Sequence, residues 1–344
     1  MTIPATMHGL VLKEDGFSGT SEGPSIEALD PYVGFSELPV PQPGDGQVLI
    51  RVTMASINPS DLHYIKGEYG VARRKGVPAG FEGVGEVVKA GEGGTDLVGK
   101  RVGFFASASG VWADYAIADI SACVPVIDQV RDEDAAALLV NPMTAIAMYE
   151  EAKAGGNSAF IMTAAASQLC KLIAGLAEED NMPVISIVRR DEHVASLSKF
   201  SCVHALNSEG QEFDDEMKRL IAELKPRVML DAVADQVSSD LFSAMPVRAR
   251  WIVYGKLSSE NPVLNQMGQF IFMDKKVEGF WLSKWMGEQT GEVLTSAGMK
   301  VQQMFASGKW QTDIAAKIPL SEAHEKLPAA LAGANHGKVF LVPG

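Results

Sequence analysis

The chain has 344 residues, 47% of them hydrophobic and 21% charged, with 33 glycines and a net charge of −13. That length gives room for two domains and a large core, in ordinary globular proportions. The acidic balance makes a nucleic-acid backbone or an anionic membrane surface a poor partner.

Residues 1–125 read as β-rich. "QVLIRVTMASI" (47–57) is a strand led in by the turn "PQPGDG", and "GVGEVVKAG" and "KRVGFFA" are short strands around the loop "EGGTDLVG". "GVWADYAIA" alternates like a half-buried strand. Short strands joined by Gly/Pro turns suggest a barrel-like domain. "DEDAAALLVNPMTAIAMYEEAKA" then reads as helix, with acidic residues at its start. Strand–helix alternation follows. Strand 159–162 leads to helix 166–179, "PVISIV" to helix 191–199, and a short strand near "HALN" to helix 213–224. "RVMLDAV" leads to helix 236–245, and "RWIVYG" and "KKVEGFW" read as the last strands. Such alternation with apolar strands means α/β architecture, a doubly wound parallel sheet of the dinucleotide-binding kind. A long helix (288–307) and a final strand that returns to the first domain complete the chain.

Three cysteines, at 123, 170 and 202, are widely spaced and form no C-x-x-C. They argue against a disulfide framework or a cysteine-rich zinc site and fit a reducing, cytoplasmic setting. The start, "MTIPATMHGLVLKEDG", lacks the basic and apolar regions of a secretory signal. No stretch reaches the ~18 uninterrupted apolar residues of a membrane span.

"AFIMTAAASQLCK" (159–171) stands where a dinucleotide fold makes its phosphate-binding turn, yet it has no glycine. The turn would comprise Thr163, Ala164, Ala165, Ala166 and Ser167, with Gln168 and Leu169 opening the helix. The backbone must approach the pyrophosphate closely, and the helix N-terminus must aim its N–H groups at it. Small side chains suffice if no residue takes a left-handed conformation, which would cost alanine roughly 1–2 kcal/mol. Right-handed or extended backbone is therefore expected throughout, with the Ser167 hydroxyl as an added phosphate donor. A plain strand–helix junction of small residues is the other reading. At the tip of the second strand stand Arg189 and Arg190, followed by Asp191 and Glu192. Two guanidiniums suit the 2′-phosphate of NADPH; the alternative is a solvated strand end whose arginines pair with the adjacent acids.

The order of segments resembles the medium-chain dehydrogenase/reductase superfamily over essentially the whole chain. The marks are "INPSDLHYIKGEYG" (57–70), "GFEGVGEVVKAGEG" (80–93), "VNPMTA" (140–145), "TAAASQLCK" (163–171), "DAVAD" (231–235) and the ending "GKVFLVPG". The resemblance implies a GroES-like β-barrel catalytic domain (1–126, resumed at 283–344), a Rossmann domain (127–282), an active site in the cleft between them, and a homodimer. Zinc members carry cysteine in the first motif and G-H-E in the second. Here the second reads Gly80-Phe81-Glu82, and the matching positions cannot supply about three zinc ligands. No metal is therefore expected, and Glu82 reads as structural. The chain is similar to the zinc-independent quinone oxidoreductase and 2-enoyl thioester reductase branches.

That likeness implies hydride transfer to a quinone or an α,β-unsaturated carbonyl, activated by hydrogen bonds. Tyr69, in a loop after a strand, is placed by the resemblance facing the nicotinamide, as donor to the developing enolate; an exposed or packing tyrosine is the alternative. Asn58 orients substrate or ribose, or is a turn residue before Pro59. Thr144 touches the nicotinamide or satisfies its own helix. Tyr254 and Gly255, at the carboxyl edge of the sheet, contact the cofactor or belong to the core. His63 and His193 read as surface residues; Trp281 and Trp285 line a pocket or simply pack. An enoyl thioester reductase is the second enzymatic reading, with the basic "ARRK" (72–75) available to a carrier phosphate. A non-catalytic NADPH-binding protein is the third.

Overall fold

The computed structural model describes residues 2–106, 109–333 and 337–344. The chain divides into two compact units, residues 1–140 with 298–344 and residues 141–297. These bounds lie 14 and 15 residues beyond the expected divisions after 126 and 282.

The first unit opens with the antiparallel pair β1 (Thr6–Leu12) and β2 (Val33–Pro39). It continues with β3 (Gln47–Ser56), α1 (Pro59–Lys66), β4 (Glu82–Ala90), β5 (Arg101–Phe105), β6 (Tyr115–Asp119), β7 (Cys123–Pro125) and α2 (Asp132–Ala136). Helix α1 was not foreseen. Pro59 stands at its first position, and the Asp61 carboxylate accepts the N–H of Asn58 at 2.7 Å, the back half of a capping box. Close backbone approach explains part of the glycine content. A Cβ on Gly85 would lie 2.2 Å from the Arg51 carbonyl oxygen, across the β3–β4 ladder.

Helix α3 (Val140–Lys153) leads into the second unit, which runs β8 (Phe160–Met162), α4 (Gln168–Glu179), β9 (Val184–Val188), α5 (Asp191–Leu197), β10 (Val203–Asn207), α6 (Phe213–Leu224), β11 (Val228–Asp231), α7 (Gln236–Ala244), β12 (Arg250–Val253), α8 (Gly268–Phe272), β13 (Lys276–Gly279) and α9 (Leu282–Glu288). Among the described residues its strands form one six-stranded sheet in the order β10-β9-β8-β11-β12-β13, every pair parallel. This is the doubly wound dinucleotide order, in which the chain leaves β8 toward one edge and returns past it to β11. Strand β9 is buried at every position, as a sheet covered on both faces requires.

Helix α10 (Gly291–Ala306), β14 (Ile314–Pro319), α11 (Ala323–Gly333) and β15 (Lys338–Val342) follow. The expected helix 288–307 is α10, which starts at Gly291; the short α9 precedes it and is closed by its C-cap Gln289, whose backbone is extended (ψ 153°). The expected helix before β8 is two helices, α2 and α3. The final strand does return to the first unit. β15 pairs antiparallel with β3 and parallel with β14, in a sheet ordered β14-β15-β3-β4-β5-β7 among the described residues. No helix among them is long and apolar enough to cross a membrane.

Candidate active site

In the first unit the "INPSD" and "GFE" motifs meet in a buried polar cluster. Ser56, Asn58, Asp61, Glu82 and Lys338 are each at most 6% exposed. Asn58 donates through Nδ2 to Ser56 Oγ at 3.2 Å and to Glu82 Oε1 at 2.9 Å, and its Oδ1 accepts from Lys338 Nζ at 2.5 Å. The Ser56 hydroxyl donates to Glu82 Oε1 at 2.7 Å. Glu82 Oε2 takes the N–H groups of Leu139 (3.1 Å) and Val140 (2.8 Å), where α3 begins. Glu82 therefore ties β4 to the first turn of α3, and Asn58 spends its whole side chain inside the protein.

Charge in this cluster is held in a low-dielectric setting. Burial pushes the Asp61 carboxyl up to about 7, with Glu82 adding to the rise and the N–H groups of Asn58 and Phe81 and the Lys338 charge opposing it. Burial also pushes the Lys338 ammonium down, against the pull of Glu82 and Asp61.

Phe81 packs its ring against two tyrosines. Its centroid lies 5.0 Å from Tyr64 and 5.2 Å from Tyr69. Tyr69 is half-buried and follows the end of α1, not a strand. Gly67, between them, is left-handed (φ 78°) and closes the helix. Arg73 of the basic stretch is buried, donating to the carbonyls of Gly16 (3.1 Å) and Ile65 (3.2 Å), so only Arg74 and Lys75 of that stretch remain exposed cations. His63 is no surface residue: its side chain is 14% exposed beside Glu68. Among the described residues no three His, Cys, Asp or Glu side chains stand together to hold a metal.

In the second unit the carboxyl edge of the sheet is organised by Asp231, fully buried at the end of β11. Its Oδ1 accepts from the hydroxyls of Thr163 (2.5 Å) and Ser238 (3.0 Å) and from Val233 N (2.9 Å). Its Oδ2 accepts from Ala234 N (3.1 Å) and Trp251 Nε1 (2.7 Å). Thr163 Oγ1 also accepts the N–H of Ala232 at 3.0 Å, so its hydroxyl is committed to joining the ends of β8 and β11.

The turn that follows departs from expectation at Ala164, which is left-handed (φ 48°). The geometry is fixed from both sides. Ala165, buried, donates its N–H to the Ile187 carbonyl at 3.1 Å, and Ser167 N donates to Ala164 O at 2.9 Å. Ser167 caps α4, its Oγ accepting from Cys170 N at 3.3 Å. The helix accordingly starts at Gln168 and Leu169, two residues later than expected, and its first-turn N–H groups point out along its axis at the sheet edge.

Arg189 and Arg190 follow the end of β9, both exposed. Arg190 is paired with Glu192 at 3.1 Å. Arg189 forms no ion pair among the described residues. The two arginines, equivalent in the sequence, are thus distinct: one guanidinium is neutralised next door and the other is available. Tyr254 is half-buried, its hydroxyl 3.4 Å from the Cys170 sulfur and pushed well above its usual range by burial, then by Cys170 and Asp231. It locks β12 to the first turn of α4. Gly255 has a steric reason, since a Cβ there would lie 2.8 Å from the Ala232 carbonyl oxygen. Thr144 is buried in α3, Trp281 is 40% exposed, and the His193 side chain is 12% exposed rather than at the surface.

Sequence reasoning missed Asp231 and Lys338 as organising residues. Each had a signal, a charged residue at the end of an otherwise apolar strand.

Over residues 44–128 the chain matches the alcohol dehydrogenase GroES-like domain. Along its full length it is 48% identical to a crystal structure from Mesorhizobium loti described as a "putative NADPH:quinone reductase", with a TM-score of 0.95 and 100% of both chains covered. It is 26% identical over 332 residues to the mitochondrial enoyl-[acyl-carrier-protein] reductase of Homo sapiens, covering 92% of this chain and 88% of that one. A mycobacterial quinone oxidoreductase shares the fold at 23% identity, with a TM-score of 0.78 and 98% and 100% of the two chains covered.

Ala164→Gly is expected to raise the unfolding free energy by up to about 1 kcal/mol, the relief of left-handed alanine less the added entropy of the unfolded chain. A urea melt reads this directly; an unchanged or lower midpoint shows that the turn carries no strain.

Proposed function

Because this chain belongs to the medium-chain dehydrogenase/reductase superfamily, in its quinone and enoyl reductase branch, we propose that it is an NADPH-dependent reductase of quinones or α,β-unsaturated carbonyls. The observation that carries the cofactor reading is Arg189, an exposed and unneutralised guanidinium at the tip of the second strand of the doubly wound sheet. That is where such a fold meets a ribose, and a guanidinium there fits a 2′-phosphate. The residues present suit the rest of the dinucleotide. The first turn of α4 offers backbone N–H groups, Ser167 a hydroxyl, and the small side chains of Ala164 and Ala165 a close backbone approach. Thr163, Tyr254 and Gly255 brace this edge through Asp231, Cys170 and Ala232. Thr144 completes the proposed cofactor set.

NADPH, when bound, supplies a hydride. The chain's own task is then to stabilise negative charge building on the acceptor's carbonyl oxygen. Tyr69 is the proposed donor, since a phenol O–H can donate a hydrogen bond to a developing enolate. Asn58, committed to Ser56, Glu82 and Lys338, fixes the start of α1 and acts on the reaction by placing that helix. Donors alone suffice for enones and quinones, and no metal enters the proposed mechanism.

An enoyl thioester is the second reading for the acceptor, favoured by the likeness to the mitochondrial reductases across 92% of the chain. Burial of Arg73 leaves it fewer exposed cations for a carrier phosphate than the sequence suggested. NADPH oxidation measured across quinones, enones and enoyl thioesters of increasing length separates the two. We also infer a homodimer in the cytoplasm. Met267, Ile271 and Phe272, on or next to α8, are 62%, 76% and 85% exposed, and a second copy would cover them.

Two substitutions test this reading. Arg189→Ala removes a charge-assisted contact worth ~1.5–3 kcal/mol, so NADPH affinity falls roughly 10–100-fold while NADH affinity barely changes. Equal weakening of both cofactors, read by fluorescence titration, rejects the 2′-phosphate assignment. Tyr69→Phe lowers kcat for an enone by at least ~10²-fold with NADPH affinity unchanged. The fall is smaller for a quinone, whose reduced oxygens take protons from water. Wild-type enone turnover would remove Tyr69 from the mechanism.

A further inference from the structure

The three residues that precede Tyr69 all grip one stretch of irregular chain, residues 16–25. Lys66, 4% exposed, donates to the carbonyls of Gly23 (2.8 Å) and Ser25 (3.2 Å) and pairs with the Glu22 carboxylate at 3.2 Å. Gly67 accepts the N–H of Ser18 at 3.0 Å. A Cβ on Gly67 would lie 2.7 Å from Ser18 N and 2.6 Å from Arg73 Cζ, so the approach requires glycine on steric as well as conformational grounds.

Glu68 makes the densest contact. Its side chain is only 3% exposed, and His63 Nδ1 lies 3.4 Å from its Oε2. The carboxylate accepts the Thr20 hydroxyl at 2.8 Å and the N–H groups of Glu22 (2.8 Å) and Gly23 (3.1 Å). Burial alone would raise this carboxyl. The Glu22 N–H, the Thr20 hydroxyl and the Lys66 charge outweigh it and hold the group below the usual carboxylate range. It stays ionised at neutral pH, and charge-assisted bonds of this kind are short and stiff. The opposite face of the same loop is held by Arg73, which bonds Gly16 and Ile65 and faces Gly16 across an isolated bridge.

We propose that Glu68 is a positioning residue for Tyr69: by clamping residues 18–23 it fixes the backbone from which the Tyr69 ring projects against Phe81. This rests on the reading of Tyr69 as the donor to the acceptor. Glu68 itself meets neither substrate nor cofactor, since its oxygens are fully used within the loop. Its effect is on orientation. Displacing a reacting group by about 1 Å can cost ~10²-fold in rate.

The test is a double-mutant cycle on the full chain. Glu68→Gln keeps the shape but replaces one acceptor oxygen with a donor, facing N–H groups that need an acceptor. Expected are a fall in kcat for an enone of about 10- to 100-fold, unchanged NADPH affinity by fluorescence, and faster amide exchange confined to residues 17–25. In the Tyr69→Phe background Glu68→Gln adds no further loss. Thr20→Val, at an exposed site, removes one donor to the same carboxylate and gives a smaller change of the same kind, which guards against misfolding of Glu68→Gln. Wild-type kcat in Glu68→Gln, or a loss that multiplies with that of Tyr69→Phe, overturns the proposal. An unimpaired Tyr69→Phe instead overturns the donor reading on which it rests, and the two failures are told apart by that single variant.

Discussion

Burying the carboxylate of Asp231 is tolerable because five donors converge on it. No cation is among them, so hydrogen bonds alone replace the water lost on burial. Those donors come from the end of β8, the loop after β11, the first turns of α7 and the indole of β12. Satisfying one buried charge therefore draws together four chain segments at the edge where a doubly wound sheet binds its ligand. The turn from Thr163 to Ser167 inherits its shape from this demand. With Thr163 held by Asp231 and Ala165 held by Ile187, Ala164 is left to make the corner, and it does so left-handed. The turn dispenses with glycine because the strain falls on one small residue.

The first unit repeats the logic with a different balance. Glu82 is the buried acceptor, collecting Ser56, Asn58 and the N–H groups at the start of α3, while Lys338 supplies charge from the last strand. The Phe81 ring adds aromatic packing, and the tyrosine on one side of it is the proposed donor. The polar cluster and the aromatic row together fix both ends of the segment 56–69, from which our proposed chemistry is done.

Much of this was legible in the sequence. The alternation of apolar strands with helices gave the parallel sheet, and helix 213–224 was placed to the residue, because strong periodicity depends on neighbours a few positions away. What escaped reading depends on distant partners. Asn58 is indistinguishable from a substrate-orienting amide until Lys338, 280 positions later, is found bonded to it. Arg189 and Arg190 look alike until only one is seen to pair with Glu192. The left-handed Ala164 runs against the intrinsic preference of alanine and is imposed by tertiary hydrogen bonds. Helix α1 was hidden by its motif, since "INPSDLHYIKGEYG" reads as loop unless Pro59 and Asp61 are taken as helix-start signals.

The proposed chemistry is hydride delivery to a double bond polarised by hydrogen-bond donors. Its most direct measurement uses NADPH carrying deuterium at both C4 positions, with a short enone and an enoyl thioester as acceptors, and locates the label in the products by mass spectrometry and NMR. One deuterium is expected on the β-carbon of a saturated product and none at the α-carbon, which takes its proton from solvent. Unlabelled product, or tight NADPH binding with no oxidation by the enone, the enoyl thioester or a quinone, would contradict this chemistry.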